Sequence, residues 1–399
     1  MGLHGVSKWL REKYPHLMHK SHISLFAHER VFVDITSFIF KYVFIHGTDS
    51  SMWINQFLHL MLSFRKNRVY VVPVFDGQAP AAKADEQKAR RDARAKMKER
   101  IAALDFALDC YTSNDHNEEI MLTLQKELEA LNKRGAISVS LRHTNNSSSI
   151  SPSDIKELTK TLQGWKKQNS FLTEDDHTYL RKLLSACGVS WIQAPGESEA
   201  YCCWLVRNGF GSAVVSIDTD CIAHRADIII NDIDKASGVI QYMNTSELLE
   251  AWQLEEEQLV DFGILVGCDY NPGSRVNKIG PVKAIKLLQQ HGNIDDIPDL
   301  VIDVLKHHEC RRLFNLQHDK SSIVIPSAHP DPELVKQLVT QRTGLNQTYI
   351  NQLVQINSTK IHIQATTEEV KHIEMDETQE DEKQEEDLHV DYEDIMEED

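Results

Sequence analysis

Three short β-branched runs, each ending on aspartate, most constrain how this chain folds. They are Val31-Phe32-Val33-Asp34, Val71-Val72-Pro73-Val74-Phe75-Asp76 and Ala213-Val214-Val215-Ser216-Ile217-Asp218. Near-continuous apolar runs of this length suit strands buried on both faces of a parallel sheet. Helix-like stretches lie around them, at Ser51 to Phe64, Thr178 to Cys187 and Ser198 to Asn208. The alternation predicts an α/β fold, a central parallel sheet with helices on both faces. In such sheets ligands gather outside the carboxyl ends of the strands, where the three aspartates stand. One strand-terminal Asp is usually a turn or a cap. Three of them point to chemistry.

Other acids join them. Glu197 and Glu199 lie in Ala-Pro-Gly-Glu-Ser-Glu-Ala after the apolar segment Val189 to Ile192. Two residues apart on a regular helix they would diverge, so they converge only if a helix begins there, and Pro195-Gly196 supplies the turn. Asp218 and Asp220 point the same way if the strand runs through both. Asp269 follows a helical run, Leu259 to Val266. Seven crowded carboxylates cannot all stay ionised without cations. Hard oxygen donors with no His or Cys among them predict two Mg²⁺ per site, with Mn²⁺ able to substitute. Such a pair, about 3.5–4 Å apart, suits in-line phosphoryl displacement. Asp232 and Asp234 read instead as a solvated turn after a strand at Ile228 to Ile230.

The overall charge of −17 is local. Ala365 to Asp399 holds 17 acids and 2 bases, while the other 364 residues carry 43 acids and 41 bases. The body is nearly neutral and the end reads as a disordered acidic tail. No stretch approaches 18 apolar residues, so a membrane span is excluded. The charged start, Met1 to Lys13, lacks the apolar core of a signal peptide, and an intracellular protein is expected. The seven scattered cysteines include no Cys-x-x-Cys, which argues for reduced thiols over disulfides or zinc.

Cations follow the second aspartate. Lys83 to Arg100 contains 8 bases and 4 acids. At helical spacing Lys83, Arg90, Arg94 and Lys98 share one face, placed to hold a phosphodiester. From there to Gln168 the sequence reads as an inserted helical cap, with a flexible polar segment at Asn145 to Ser153. Downstream, Lys278-Ile279-Gly280-Pro281-Val282-Lys283 precedes an apolar helix, and a glycine turn opening a helix exposes N–H groups to a phosphate.

These pieces resemble the flap endonuclease family of structure-specific 5′ nucleases, which includes excision-repair and 5′-exonuclease branches. The resemblance rests on Met1-Gly2-Leu3-His4-Gly5, Asp34, Asp76, the Glu197/Glu199 box, Asp218, Asp220, and Asp269 followed by Ile-Gly-Pro. It implies a PIN-like 5′ nuclease fold with a helical arch and a helix–two-turn–helix module. Lys83 and Arg90 fall at the family's catalytic Lys and Arg, and the seven acids at its metal ligands. Phe40 falls where an aromatic stacks on a base; Gly2, Arg94, Gly280 and Lys283 complete the implied DNA contacts. Potassium at the Gly280 turn is implied as well. So are a monomer acting on branched DNA in replication, repair or recombination, and a nuclear location, or a cytoplasmic one for a large DNA virus. The sequence departs from the family in three places. Lys83 and Glu197 are 114 positions apart, Lys278 replaces a usual glycine, and no sliding-clamp box is present.

The expected organisation is a nuclease region at 1–82, an arch at 83–170, a second nuclease region at 171–265, the turn module and a wrap at 266–360, and the tail at 361–399. Two other readings weigh against a nuclease. Val214 to Ile222 is similar to the Asp-x-Asp strand end of haloacid-dehalogenase-type phosphatases, and a non-catalytic DNA- or protein-binding factor would need only the charges.

Overall fold

The computed structural model describes residues 2–358 except 49–50, 115, 134–149, 272–278, 299 and 301–304. Its centre is one seven-stranded sheet: β1 (His19–His22), β2 (Arg30–Asp34), β3 (Tyr70–Phe75), β4 (Ile192–Gln193), β5 (Ala213–Val215), β6 (Ile228–Ile233) and β7 (Val239–Asn244). The order is β1-β7-β6-β5-β2-β3-β4. The five strands from β6 to β4 are parallel, whereas β7 and β1 join antiparallel at one edge. The purely parallel expectation is therefore corrected at that edge. β1 alternates half-buried and exposed residues, the pattern of a one-sided edge strand rather than a buried parallel one.

The predicted runs are the central strands, and their side chains alternate between two cores. Val31 and Val33 face one cluster with Val71 and Val215, while Phe32 faces the other with Val72, Val74 and Val214. Helices Ile35–His46, Met52–Lys66 and Glu174–Ala186 cover the first face. Ser198–Arg207, Gln258–Val266 and Pro281–His291 cover the second. β4 pairs with β3 only from Val74 on, which leaves Pro73 outside that ladder, where a missing N–H costs nothing.

The chain leaves β2 for β3 and β4 on one side, then returns to place β5 and β6 on the other. That reversal puts a crevice at the carboxyl ends of β2, β3 and β5. Between β3 and helix Glu174–Ala186 the chain inserts the helices Ala84–Thr112, Glu118–Lys133 and Pro152–Gln168. They share a core of their own around Leu104, Leu124, Leu158 and Trp165. Of the predicted polar loop, 145–149 lie outside the described residues. Ser151 instead starts a helix with a capping box to Asp154, so the loop reading is corrected there. Asp232 lies within β6, past a register shift, and Asp234 makes the turn, accepting from Ala236 N and Ser237 Oγ. The tail, 361–399, lies outside the described residues. Among the described residues no helix is long and apolar enough to cross a membrane, and seven cysteines are free thiols.

His224 follows the short helix Asp220–Ala223 and is buried against Phe314, with ring centroids 4.7 Å apart. Its Nε2 has no partner. Burial, reinforced by Lys83 and Arg225, pushes its pKa from 6.5 to about 3. Between those values the unfolded chain binds a proton that the folded chain refuses, so stability falls as pH drops below about 6.5. From pH 7.5 to 5.0, His224→Phe should lose about 2 kcal/mol less unfolding free energy than the wild type in urea melts. Parallel losses in the two proteins would place the acid sensitivity elsewhere.

Candidate metal centre and nucleic-acid cleft

The two central strand ends deliver Asp34 and Asp76. Asp34 is buried and caps the helix Ile35–His46. Its Oδ1 accepts from Ser198 Oγ at 2.6 Å and its Oδ2 from Ser216 Oγ at 2.7 Å. Burial first, then the neighbouring Asp76, raises its pKa to about 6. Asp76 accepts from Thr36 Oγ1 at 2.7 Å and from the Ser198 backbone N–H at 2.8 Å. Behind it Gly77 N–H donates to Gly196 O at 2.6 Å, and a Cβ on Gly77 would collide with the Ala194 carbonyl. Only glycine fits that crossing.

Glu197 and Glu199 converge for the reason the turn suggested. Glu197 is the extended residue before helix Ser198–Arg207, and Glu199 lies in its first turn. Asp218 and Asp220 converge for a different one. The strand stops at Val215, Asp220 opens a short helix, and its N–H donates to Asp218 Oδ1 at 3.0 Å. The expectation of a continuous strand through both is corrected. Asp220 Oδ1 is a buried oxygen with no hydrogen-bond partner. Burial raises the carboxyls of Glu199 and Asp220 well above the usual range, helped by Glu197 and Asp218 respectively.

Lys83 sits among them. It precedes helix Ala84–Thr112 in a short 3₁₀ turn and is 7% exposed, so it is not part of the exposed helical stripe expected for it. Its Nζ pairs with Glu197, lies 3.5 Å from Glu199 and 3.4 Å from Asp269, and stands 5.3 Å from the centre of the Tyr270 ring. Burial alone would favour the neutral amine, but Glu199, Glu197, Asp269 and Asp220 outweigh it and raise its pKa. Tyr270 O–H donates to Glu197 Oε2 at 2.7 Å. Arg90, in the second turn of the helix, reaches Asp269 at 3.1 Å and pairs with Glu86.

These groups line a cleft of about 430 Å³ with Phe40, Arg91 and Arg94. Phe40 is 43% exposed, and the Arg94 guanidinium lies 4.6 Å from the centre of the Phe171 ring. Of the expected acids, Asp34, Asp76, Glu197, Glu199, Asp218 and Asp269 line it, while Asp220 is buried behind Asp218. Gly280 and Lys283 do not line the cleft; Gly280 caps helix Pro281–His291, with open space around it, and Lys283 lies in the first turn. Lys278 and the rest of that turn, 272–278, lie outside the described residues, as does the expected potassium position. Thr36, Ser198, Ser216 and Tyr270 were not anticipated. Their only signal was adjacency, since Ser198 separates the two glutamates and Tyr270 follows Asp269.

The comparisons with known proteins agree with this layout. The family described as XPG N-terminal domain matches residues 1–97, and that described as XPG I-region matches residues 188–269. A Frog virus 3 protein described as RAD2-like endonuclease 095R is 29% identical over 302 residues, 75% of this chain and 78% of that one. Flap endonuclease 1 of Osmerus mordax is 25% identical over 356 residues, covering 84% and 80% of the two chains. The solved flap endonuclease-1 from Methanococcus jannaschii shares the fold, with a TM-score of 0.57 at 20% identity over 87% of this chain and 99% of that one. The chain thus carries the two regions that XPG-type nucleases are recognised by, and it is similar in sequence to RAD2-like and flap endonucleases.

The donor set of this centre fits divalent cations: carboxylate oxygens only, one of them buried and unpartnered, and more negative charge than Lys83 alone can offset. Among the described residues no three of these acids bring ligand atoms within 4.8 Å of one another. Glu197 and Asp269 are instead tied to Lys83.

Gly2 meets the centre directly. A Cβ there would overlap Asp218 Oδ1 and stand 2.7 Å from Asp220 N, at a φ of +81°. Gly5 has a similar φ, +71°, but nothing within 4 Å. Gly2→Ala should therefore slow single-turnover cleavage at least ~10-fold, or ~1.4 kcal/mol in the barrier, with DNA binding retained. Gly5→Ala should cut at the wild-type rate. Equal rates for the two variants would remove Gly2 from the centre.

Proposed function

We propose that this chain is a Mg²⁺-dependent, structure-specific 5′ nuclease that hydrolyses a DNA phosphodiester where a single-stranded 5′ flap meets duplex. The observation that carries the reading is a buried ammonium amid carboxylates from five chain regions, in a cleft edged by Phe40, Arg90 and Arg94. Such a site holds metal, phosphate and base side by side. A phosphatase of the haloacid-dehalogenase type would use Asp218 and Asp220 at a strand end, yet the strand ends at Val215 and the other five acids would have no task. A purely binding factor would have no use for seven crowded carboxyl groups.

In this reading Asp34, Asp76, Glu197, Glu199, Asp218, Asp220 and Asp269 hold the divalent ions. When bound, these offset charge at the phosphate and at the attacking and leaving oxygens. The protein's own groups do the rest. Ser198, Ser216 and Thr36 fix Asp34 and Asp76 by donating to them. Tyr270 aims Glu197 and carries Lys83 above its ring. Lys83 and Arg90 bind the scissile phosphate, and Phe40 offers a face to the neighbouring base. Backbone N–H groups at Gly280, with Lys283, hold duplex phosphate. The protein acts as a monomer at a nuclear or viral replication site, a reading that the viral RAD2-like relative supports.

End-labelled flap, bubble, nick and blunt substrates with Mg²⁺ or chelator test this directly. Flap cleavage that stops in chelator and resumes with Mg²⁺ or Mn²⁺ is expected. Within the same panel, Asp218→Ala should lose several orders of magnitude in rate and keep its affinity for DNA. Lys83→Ala and Arg90→Ala should each lower single-turnover cleavage at least ~100-fold with a modest loss of binding. Losses that match in binding and rate would reduce both residues to general backbone attraction.

A further inference from the structure

A second group of metal-ligating side chains lies away from the cleft, and chemistry sets it apart from the seven carboxylates. Asp295, His307 and His308 bring three ligand atoms within 4.8 Å of one another. Asp295 is on the loop after helix Pro281–His291, and the two histidines open helix His307–Phe314. His307 is buried, and its Nε2 stands 2.7 Å from Asp295 Oδ1. The two imidazoles lie close together and tilted, ring centroids 3.9 Å apart and 39° between planes. His308 is exposed and makes no hydrogen bond among the described residues, so a ring nitrogen is open to a ligand.

The surroundings suit a cation. Arg311 Nη1 donates to Asp295 Oδ2 at 2.6 Å, leaving Oδ1 on the histidine side. The same guanidinium grips Asp261 through Nε and Nη2, at 2.7 and 2.6 Å. Two carboxylates against one guanidinium leave negative charge beside the two imidazoles. A ligating carboxylate held from behind by a hydrogen-bond donor is the usual arrangement around a bound metal. Tetrahedral zinc with bonds near 2.0–2.1 Å places its ligand atoms roughly 3.3 Å apart. His307 and Asp295 need to separate only slightly to admit it.

We propose that Asp295, His307 and His308 form a zinc site, open to solvent at its fourth position, that pins the loop after the duplex-holding helix to the next helix. Two imidazoles and one carboxylate favour zinc over the hard ions that an all-oxygen centre selects. The site is therefore separable from catalysis. It would reinforce two elements that already meet through Arg311 and the His307–Asp295 contact.

Full-length protein, stripped with chelator and returned to excess Mg²⁺, is dialysed against buffered Zn²⁺, and bound zinc is counted by mass spectrometry. Wild type and Asp218→Asn should each bind one zinc that His308→Ala and Asp295→Asn bind at least ~10-fold more weakly. Zinc should raise the melting temperature of the wild type and leave that of His308→Ala unmoved. His308 is exposed, so its variant tests the site without threatening the fold. Equal zinc binding by wild type and His308→Ala overturns the proposal. So does zinc that disappears in Asp218→Asn and persists in His308→Ala, which would assign it to the carboxylate centre.

Discussion

Taking an ammonium out of water costs several kcal/mol unless opposite charge meets it in good geometry. Lys83 is buried on those terms, against Glu197, Glu199 and Asp269. The reverse also holds, since the acids around it are themselves buried and pushed toward their neutral forms. Neither set could be dehydrated without the other. The partners come from distant parts of the chain, so the basin exists only once the sheet is complete and the helices on its second face are docked. Placing β2 at the centre, with β3 and β5 on either side, brings Asp34, Asp76 and Asp218 to one edge. The ion pairs then hold the start of the long arch helix against that edge.

The arch follows from the same anchor. Helix Ala84–Thr112 has 29 residues, so it extends about 43 Å from a first turn fixed by Lys83. Its amino end faces the carboxylates, and Glu86 in that turn balances both the dipole and Arg90. Farther along, the helix no longer touches the sheet and needs an apolar seam of its own, which Leu104, Leu108, Leu124 and Leu158 supply. Arg94 stands between these regimes, stacked on Phe171 at the lip of the cleft.

What could be read from the sequence depended on periodicity. Asp34 and Asp76 were legible because a buried parallel strand leaves a run with no polar break, and its end marks the site. Glu197 and Glu199 were legible because a Pro-Gly turn resolves their spacing. Asp218 and Asp220 were found on a mistaken argument: the convergence comes from a helix start, which a two-residue interval cannot distinguish from a strand. Lys83 was read as one member of a basic helical stripe, and its burial was missed because helical spacing locates a side chain around an axis and says nothing about depth. Ser198, Ser216, Thr36 and Tyr270 left no pattern, because a single hydrogen bond to a carboxylate imposes no period on its neighbours. The antiparallel edge was missed for a related reason. His19–His22 is polar and four residues long, too short to separate from a loop.

Charge also couples the pieces of the cleft. Lys83 is committed to Glu197, and Arg90 is shared between Glu86 and Asp269. A phosphate approaching these cations competes with carboxylates already in contact. Any cation that neutralises Glu197 or Asp269 weakens that hold through Coulomb's law, and in a site this buried the effect is poorly screened. In the proposed reading the same carboxylates would both hold cations and restrain the side chains offered to DNA. Because binding free energies couple reciprocally, phosphate that draws Lys83 and Arg90 away leaves the acids more exposed to one another and raises their affinity for divalent ions. On that reading Tyr270 keeps the exchange local: it is fixed to Glu197 by its hydroxyl and lies under Lys83, so the glutamate would stay in place while the ammonium turned to a phosphate.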